Sequence, residues 1–274
     1  MNWALWRKAA ADVWWHLAIS AALLLLFSWL FVWLMGLFQL GAWNTLLKLL
    51  PGFTQPMMGV PMAALATRTG QLSILYVHVV TVLISVGWAL GRGSDSISGE
   101  IGRGTMDLLL ALPVWRVTVM VIPALVATIG AAVLAASVWL GTALGILCFD
   151  LGEAVPPGRF FPGAANLFAM IFCFTGVTTL ISSWGRDRWR TVLWSGGFFV
   201  LSMVVKMVAR MWPAGRWLEY FSFLSLFQPQ ELILMPDATA HAALRYNAAL
   251  LALGLLCYVA AGVVFWRRDI PAAR

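Results

Sequence analysis

Charge is what this sequence most lacks. Only 11% of its 274 residues are Asp, Glu, Lys or Arg, while 62% are apolar. A soluble domain carries about 25% charged residues, so water is excluded as the main solvent. Lysine is nearly absent: Lys8, Lys48 and Lys206 stand alone, none in a Gly-Lys-Ser/Thr setting. The chain therefore has no P-loop and no route to nucleotide hydrolysis through one. His16, His78 and His241 lie too far apart for an HExxH-type zinc motif, and no GxSxG elbow occurs. Cys148, Cys173 and Cys257 are odd in number and form no CxxC. That excludes a thiol redox motif or zinc knuckle and leaves small apolar filler. No internal repeat, low-complexity tract or soluble insert is present, so residues 1–274 read as one domain.

What is present in abundance is long apolar runs. A bilayer core needs about 20 apolar residues per helix, and six runs qualify, near 18–38, 72–91, 117–147, 164–184, 191–211 and 248–266. The fold class is an all-α membrane protein. The third run carries Pro123 near its start, where a bend or tilt is expected. Its Gly141 and Gly145 form a small-xxx-small pair that permits close helix contact. Sixteen tryptophans and sixteen phenylalanines suit wide aromatic interfaces with lipid.

The basic residues give the orientation. Six spans put both termini on one side. Eleven Lys and Arg fall with the termini (7, 8, 92, 103, 116, 186, 188, 190, 267, 268, 274) and seven on the other side (48, 68, 159, 206, 210, 216, 245). The first set sits in much shorter segments. The positive-inside rule then makes both termini cytoplasmic. It also explains the net charge of +7 without nucleic acid, because the charges are scattered at run ends and form no patch. Lys206 and Arg210, one turn apart at the outer end of the fifth run, are expected to snorkel to headgroups.

The flanking segments have their own character. Over residues 1–17, Trp3, Trp6, Ala10, Val13, Trp14 and Leu17 share a helical face opposite Lys8, Asp12 and His16, which predicts an amphipathic helix lying at the interface. The run WLEYFSFLSLFQPQELILMP within 212–247 is too apolar for a solvated loop, and it reads as a re-entrant or surface-lying hairpin before the last span.

Inside the spans, His78 lies mid-run with Thr81 and Ser85 nearby, and an intramembrane ionisable group is a functional candidate by default. Thr175, Thr178, Thr179, Ser182 and Ser183 make the fourth run rich in hydroxyls. His78, Thr175, Thr179 and Ser182 are the candidates for a translocation path. The competing reading has the hydroxyls bonding back to the helix or to a neighbour. Met203, Met207 and Met211 recur at helical spacing, as a packed or lipid-facing stripe or as a soft-metal ladder.

The most informative stretch is 97–116, ISGEIGRGTMDLLLALPVWR. It places Glu100, Arg103, Asp107 and Arg116 among glycines and leucines between two spans. A loop that only joined helices would not need this. Glu100 and Arg103 are suited to charge-assisted bonds with a soluble partner. Gly102 and Gly104 are expected to end one short helix and Thr105 to cap the next. Leu108, Leu109 and Leu112 would anchor that second helix at the membrane.

This stretch resembles the cytoplasmic loop after the second span of ABC-2 type ABC-transporter permeases. The resemblance rests on Ser98-Gly99-Glu100, Gly104-Thr105, Leu108–Leu110, Leu112-Pro113 and Arg116. The ending Phe265-Trp266-Arg267-Arg268-Asp269-Ile270-Pro271 is similar to the family's last-span terminus, and Tyr220-Phe221-Ser222 with Gln228-Pro229 to its outer hairpin. The loop departs from the family in leaving Arg103 as the one charge between Glu100 and Thr105. The resemblance implies an elbow helix, six spans, a cytoplasmic coupling helix and an outer hairpin. It implies ATPase coupling through Ser98, Gly99, Glu100, Arg103, Gly104, Thr105, Asp107, Leu112, Pro113 and Arg116. It also implies a separate ABC ATPase subunit that holds ATP and magnesium, a second copy or paralogue of the chain, no cofactor on this chain, and a place in a bacterial inner membrane as an exporter's permease. A scaffold or assembly subunit of an ATPase-linked membrane complex would share the fold without a substrate path. A lipid-acting membrane enzyme would need clustered ionisable groups, and the spans offer only His78.

Overall fold

The computed structural model describes residues 3–49, 51–52, 57–111 and 115–268. Every regular element among them is helical. In chain order these include α1 (Trp3–Ala11), α2 (Trp14–Leu37), α3 (Leu40–Leu49), α4 (Met62–Leu65), α5 (Arg68–Ser73), α6 (Val79–Ser94), α7 (Glu100–Gly102), α8 (Met106–Leu110), α9 (Arg116–Cys148), α10 (Phe161–Trp184), α11 (Arg188–Met211), α12 (Pro229–Leu234) and α13 (Pro236–Arg267). Six stretches are long and apolar enough to cross a bilayer: Trp14–Leu37, Arg68–Gly102, Arg116–Cys148, Pro157–Trp184, Arg188–Met211 and Ala243–Arg267. They coincide with the six apolar runs.

The fourth span is the hub. In its most apolar window 72% of residues are buried, against 17% in α11 and 22% in α2. Small residues allow this. A methyl group on Gly176 would lie 2.6 Å from the Gly254 carbonyl oxygen, so α10 and α13 cross backbone to backbone there. The Gly141/Gly145 pair behaves as its spacing predicts. A methyl on Gly145 would meet Val32 Cβ at 2.6 Å, and one on Gly141 would strike the Leu25 carbonyl, so α9 closes on α2 through this notch.

The amphipathic N-terminal helix is shorter than its sequence pattern. It stops at Ala11, where the Val13 amide bonds the Ala10 carbonyl and Lys8 pairs with Asp12 at 3.6 Å. Trp14 and Trp15 start the first span and are largely exposed. Trp15, which fits the 1–17 helical face poorly, thus belongs to another helix.

The second span is longer and more broken than expected. A 3₁₀ turn at Ile74–Val77 leads to His78 in extended conformation. His78 is therefore not a mid-helix residue. It is the N-cap of α6, its Nδ1 accepting the Val80 amide at 3.3 Å, with its ring 5.0 Å from Phe27 and 5.7 Å from Phe31. The helix then runs through a π-turn at Asp95–Gly99 into α7.

Arg68, counted in sequence as an outer-loop charge, is buried. Its guanidinium donates to the carbonyls of Leu151 (2.9 Å), Met35 (2.9 Å) and Phe38 (2.8 Å) and to Gln71 Oε1 (2.9 Å). One side chain thus satisfies carbonyls at the end of α2 and just beyond α9, groups a helix terminus leaves without partners.

The outer hairpin is a chain of short turns, Pro213–Phe221, Phe223–Leu226 and α12, folded against α10 and α11. Phe223 stacks on Phe174 at 5.8 Å and on Phe198 at 5.6 Å. Its backbone is met by side chains: Asn166 donates to the Leu226 carbonyl and accepts the Gln228 amide, and Lys206 donates to the Phe227 carbonyl at 2.8 Å. Lys206 and Arg210 therefore do not snorkel outward. Arg210 turns in as well, to the Met57 carbonyl (2.9 Å) and Gln228. α13 begins at Pro236, twelve residues before its apolar run, with the proline in the first turn, where its missing N–H costs nothing.

Candidate functional site

The 97–116 stretch lies at the helix end that carries both termini. Lys8 of α1 reaches Glu100, and Arg268 at the end of α13 donates to the carbonyls of Ser183 (2.7 Å) and Gly185 (3.0 Å). N-terminal helix, loop, fourth-span end and C-terminal end are thus joined.

Its first part is not a loop. The second span continues as helix to Gly102, and the π-turn has a visible cause. Ser182 Oγ accepts the Ser98 amide at 2.9 Å and donates to the Ser94 carbonyl at 3.1 Å. Those two groups would bond each other in an α-helix. A hydroxyl from the fourth span sits between them, and such insertion bulges a helix. Ser98 Oγ donates to the same Ser94 carbonyl (2.8 Å) and accepts from Thr191 Oγ1 (2.9 Å) on α11. Three spans meet at Ser98, which is fully buried.

Glu100 comes next and faces inward. Its carboxylate is bound by Lys8 Nζ at 2.7 Å, Arg103 Nη2 at 3.1 Å and the Thr105 hydroxyl. Arg103 also bonds Asp95 at 2.6 Å, and Asp95 lies 3.7 Å from Arg188 of α11. Partial burial works against the Arg103 charge, but the Asp95 and Glu100 carboxylates outweigh it and hold the guanidinium more basic than usual. The Glu100 oxygens are thus engaged within the chain, by α1, Arg103 and Thr105. Thr105 does not cap α8. Its hydroxyl donates toward the Glu100 carboxylate and carbonyl, and it accepts no backbone N–H of α8, its backbone being helical (φ −88°, ψ −12°) where a capping residue is usually extended.

Gly104, at φ +70°, makes the corner between α7 and α8, a conformation in which a side chain is strained. The corner turns Met106 inward to pack with Ile97, Met120, Ala261 and Phe265. Leu109 and Leu110 rest on the same cluster, whereas Leu108 is 72% exposed. Gly102, Arg103, Gly104, Asp107 and Leu108 form the exposed face, and Arg116 opens α9. Leu112 and Pro113 lie outside the described residues, as do Asp269, Ile270 and Pro271. Ser98 and Gly99 are buried.

Sequence reasoning missed Lys8, Asp95, Met106 and Thr191. Asp95, a charge two residues before the stretch, was the one available sign among them, while Lys8 lies 92 positions from Glu100.

Of the four candidate path residues, Thr175, Thr179 and Ser182 follow one another along one face of α10, and His78 stands on the second span. Thr175 Oγ1 and Thr179 Oγ1 bond the carbonyls of Ile171 (2.7 Å) and Thr175 (2.8 Å), Ser182 serves the π-turn, and His78 packs on phenylalanines. Of the methionine stripe, Met203 and Met207 line a cavity. Among the described residues no three His, Cys, Asp or Glu gather as a metal site.

The family model described as "ABC-2 family transporter protein" matches residues 13–270. No curated protein and no solved structure matches the chain.

Proposed function

Since the chain belongs to the ABC-2 transporter family, as a membrane permease of an ABC transporter, we propose that residues 97–112 couple it to a separate ATPase subunit. The ATPase holds ATP and magnesium, and this chain binds neither. The supporting observation is the rigid mounting of the loop. A helix running from Val79, bulged at Ser98, is pinned by Ser182, Thr191, Lys8 and Arg188 and ends in a corner that shows Arg103, Asp107 and Leu108 to the exterior. A push on that face is delivered to α1 and to the second, fourth and fifth spans together, the kind of rigid-body motion that switches a transporter.

In this reading residues 1–274 form one transmembrane domain, both termini are cytoplasmic in a bacterial inner membrane, and the chain pairs with a second copy or paralogue to export its substrate. The weak burial of α11 within the chain fits such a pairing. The test is the variant Arg103→Glu with Leu108→Asp. Loss of ATPase co-purification from a folded permease is expected; a retained complex with full ATP-dependent transport overturns the docking role.

A scaffold or assembly subunit without a substrate path is the second reading. One observation favours it: the fourth-span hydroxyls donate to backbone carbonyls of their own and neighbouring helices, as structural hydroxyls do. ATP-driven solute movement by the reconstituted permease and ATPase decides against it.

A further inference from the structure

The end of the bundle opposite the termini holds a cavity of about 730 Å³ between α3, the Met57–Met58 segment, the second span, α11 and the outer hairpin. That is the size of a small-molecule pocket, about 300–1,000 Å³. Its wall is overwhelmingly apolar, from Trp43, Leu47, Leu65, Met170 and Phe199 among others. Its rim residues Leu46, Leu49, Val77, Met203 and Met207 are all exposed. A mouth with such exposed apolar side chains favours a ligand that arrives through hydrocarbon over one that arrives through water.

Two cations stand in this apolar wall, Lys206 and Arg210. Each bonds only neutral oxygens: Lys206 the Phe227 carbonyl, Arg210 the Met57 carbonyl and the Gln228 amide oxygen. Among the described residues no carboxylate lies within 4 Å of either. Glu219, whose charge acts on both cations, and Glu231, whose charge acts on Arg210, do not line the cavity. An ammonium keeps three donors and a guanidinium five, so both retain bonding capacity for an anion. Charge in apolar surroundings is costly unless paired, and here the missing partner is negative.

We propose that this cavity binds an acidic phospholipid drawn from the bilayer, with its phosphate between Lys206 and Arg210 and one acyl chain along the Met203–Met207 wall. The apolar mouth selects a ligand that arrives through lipid, and the cation pair selects its headgroup. This stands independently of the coupling role of the 97–112 segment.

The test uses the full chain in nanodiscs of equal phosphatidylglycerol and phosphatidylcholine, released into native mass spectrometry. The wild type is expected to retain one phosphatidylglycerol per chain, at least tenfold over phosphatidylcholine. Lys206→Gln with Arg210→Gln loses that preference, and Lys206→Arg keeps it. Met203→Trp, which crowds the acyl-chain wall and leaves both cations, lowers lipid retention. Circular dichroism and gel filtration verify that each variant is folded. Equal retention of the two lipids by the wild type, undiminished phosphatidylglycerol on the double variant, or a second copy of the chain covering the mouth with no lipid held overturns the proposal.

Discussion

Ser182 Oγ occupies the place of a backbone hydrogen bond: it lies 2.9 Å from the Ser98 amide and 3.1 Å from the Ser94 carbonyl, groups four residues apart on another helix. Removing it with Ser182→Ala leaves two outcomes for the helix. Either the Ser98 amide is orphaned in a fully buried site, at about 1–3 kcal/mol, or the turn rewinds to α-helix and rotates everything beyond Ser98. One residue in an α-helix is about 100° of rotation, enough to carry Glu100 away from Lys8. Both outcomes lower the melting temperature and weaken ATP-driven transport by the assembled complex. Hydrogen exchange at the Ser98 amide separates them, fast for the orphan and slow for the rewound helix. Wild-type stability and transport in the alanine variant would show that the hydroxyl has no such role.

Glu100 gathers three donors on one carboxylate, from α1, from Arg103 and from Thr105. Truncation of the acid should therefore cost more than truncation of any one donor. Lys8 is 43% exposed, so a Lys8/Glu100 double-mutant cycle should return a coupling of at most about 1 kcal/mol. Glu100→Ala should free α1 and α8 at once, read as faster proteolysis of both segments and loss of coupled transport. Lys8→Ala should affect α1 alone. Equal effects of the two variants would deny Glu100 its central position.

How far these arrangements were legible in the sequence depended on the range of the interaction. The six spans follow from local hydropathy, because each helix must be apolar for its full crossing. The Gly141/Gly145 notch followed from spacing within one helix. The exposed corner at Gly104 was also visible, as glycines between charges. The π-turn was not, since its cause lies 84 residues away on the fourth span. Nor was the Lys8–Glu100 bond, which joins positions 92 apart. Thr105 stands at the head of α8 as its sequence position suggests, but its helical backbone angles do not present the hydroxyl to the α8 amides, and a local pattern does not reveal that. Lys206 and Arg210 were assigned to headgroups by the usual behaviour of long basic side chains at span ends. The hairpin that captures them carries carbonyl acceptors, and no sequence pattern announces those.

Arg68 provides a test of the opposite end. Its guanidinium reaches three carbonyls and Gln71 from a buried position. Arg68→Met removes the donors and leaves the acceptors without partners, a loss on the order of 3 kcal/mol. Arg68→Lys should recover little, because a single ammonium cannot cover the spread of acceptors that a planar five-donor fork does. Melting in detergent micelles measures both, and a lysine variant as stable as the wild type would remove the clamp from the account.

Glu231, in the short helix before the last span, gives a pH signature. Burial raises its pKa above the ordinary 4.5, against the opposing pull of Arg210 and of a hydrogen bond with Tyr246. A carboxyl with a raised folded-state pKa holds its proton more tightly in the native chain than in the unfolded one. Its stabilising contribution is complete below pH 4.5, the unfolded value, and is lost as pH rises through the folded value. At neutral pH the buried carboxylate therefore works against the fold. Glu231→Gln keeps the shape and removes the charge, so it should raise the melting temperature at pH 7, with the gain vanishing as the pH is taken below about 4.5. A gain independent of pH would point to packing instead. A loss at pH 7 would mean that the attraction of Arg210 outweighs burial and that the shift has the opposite sign.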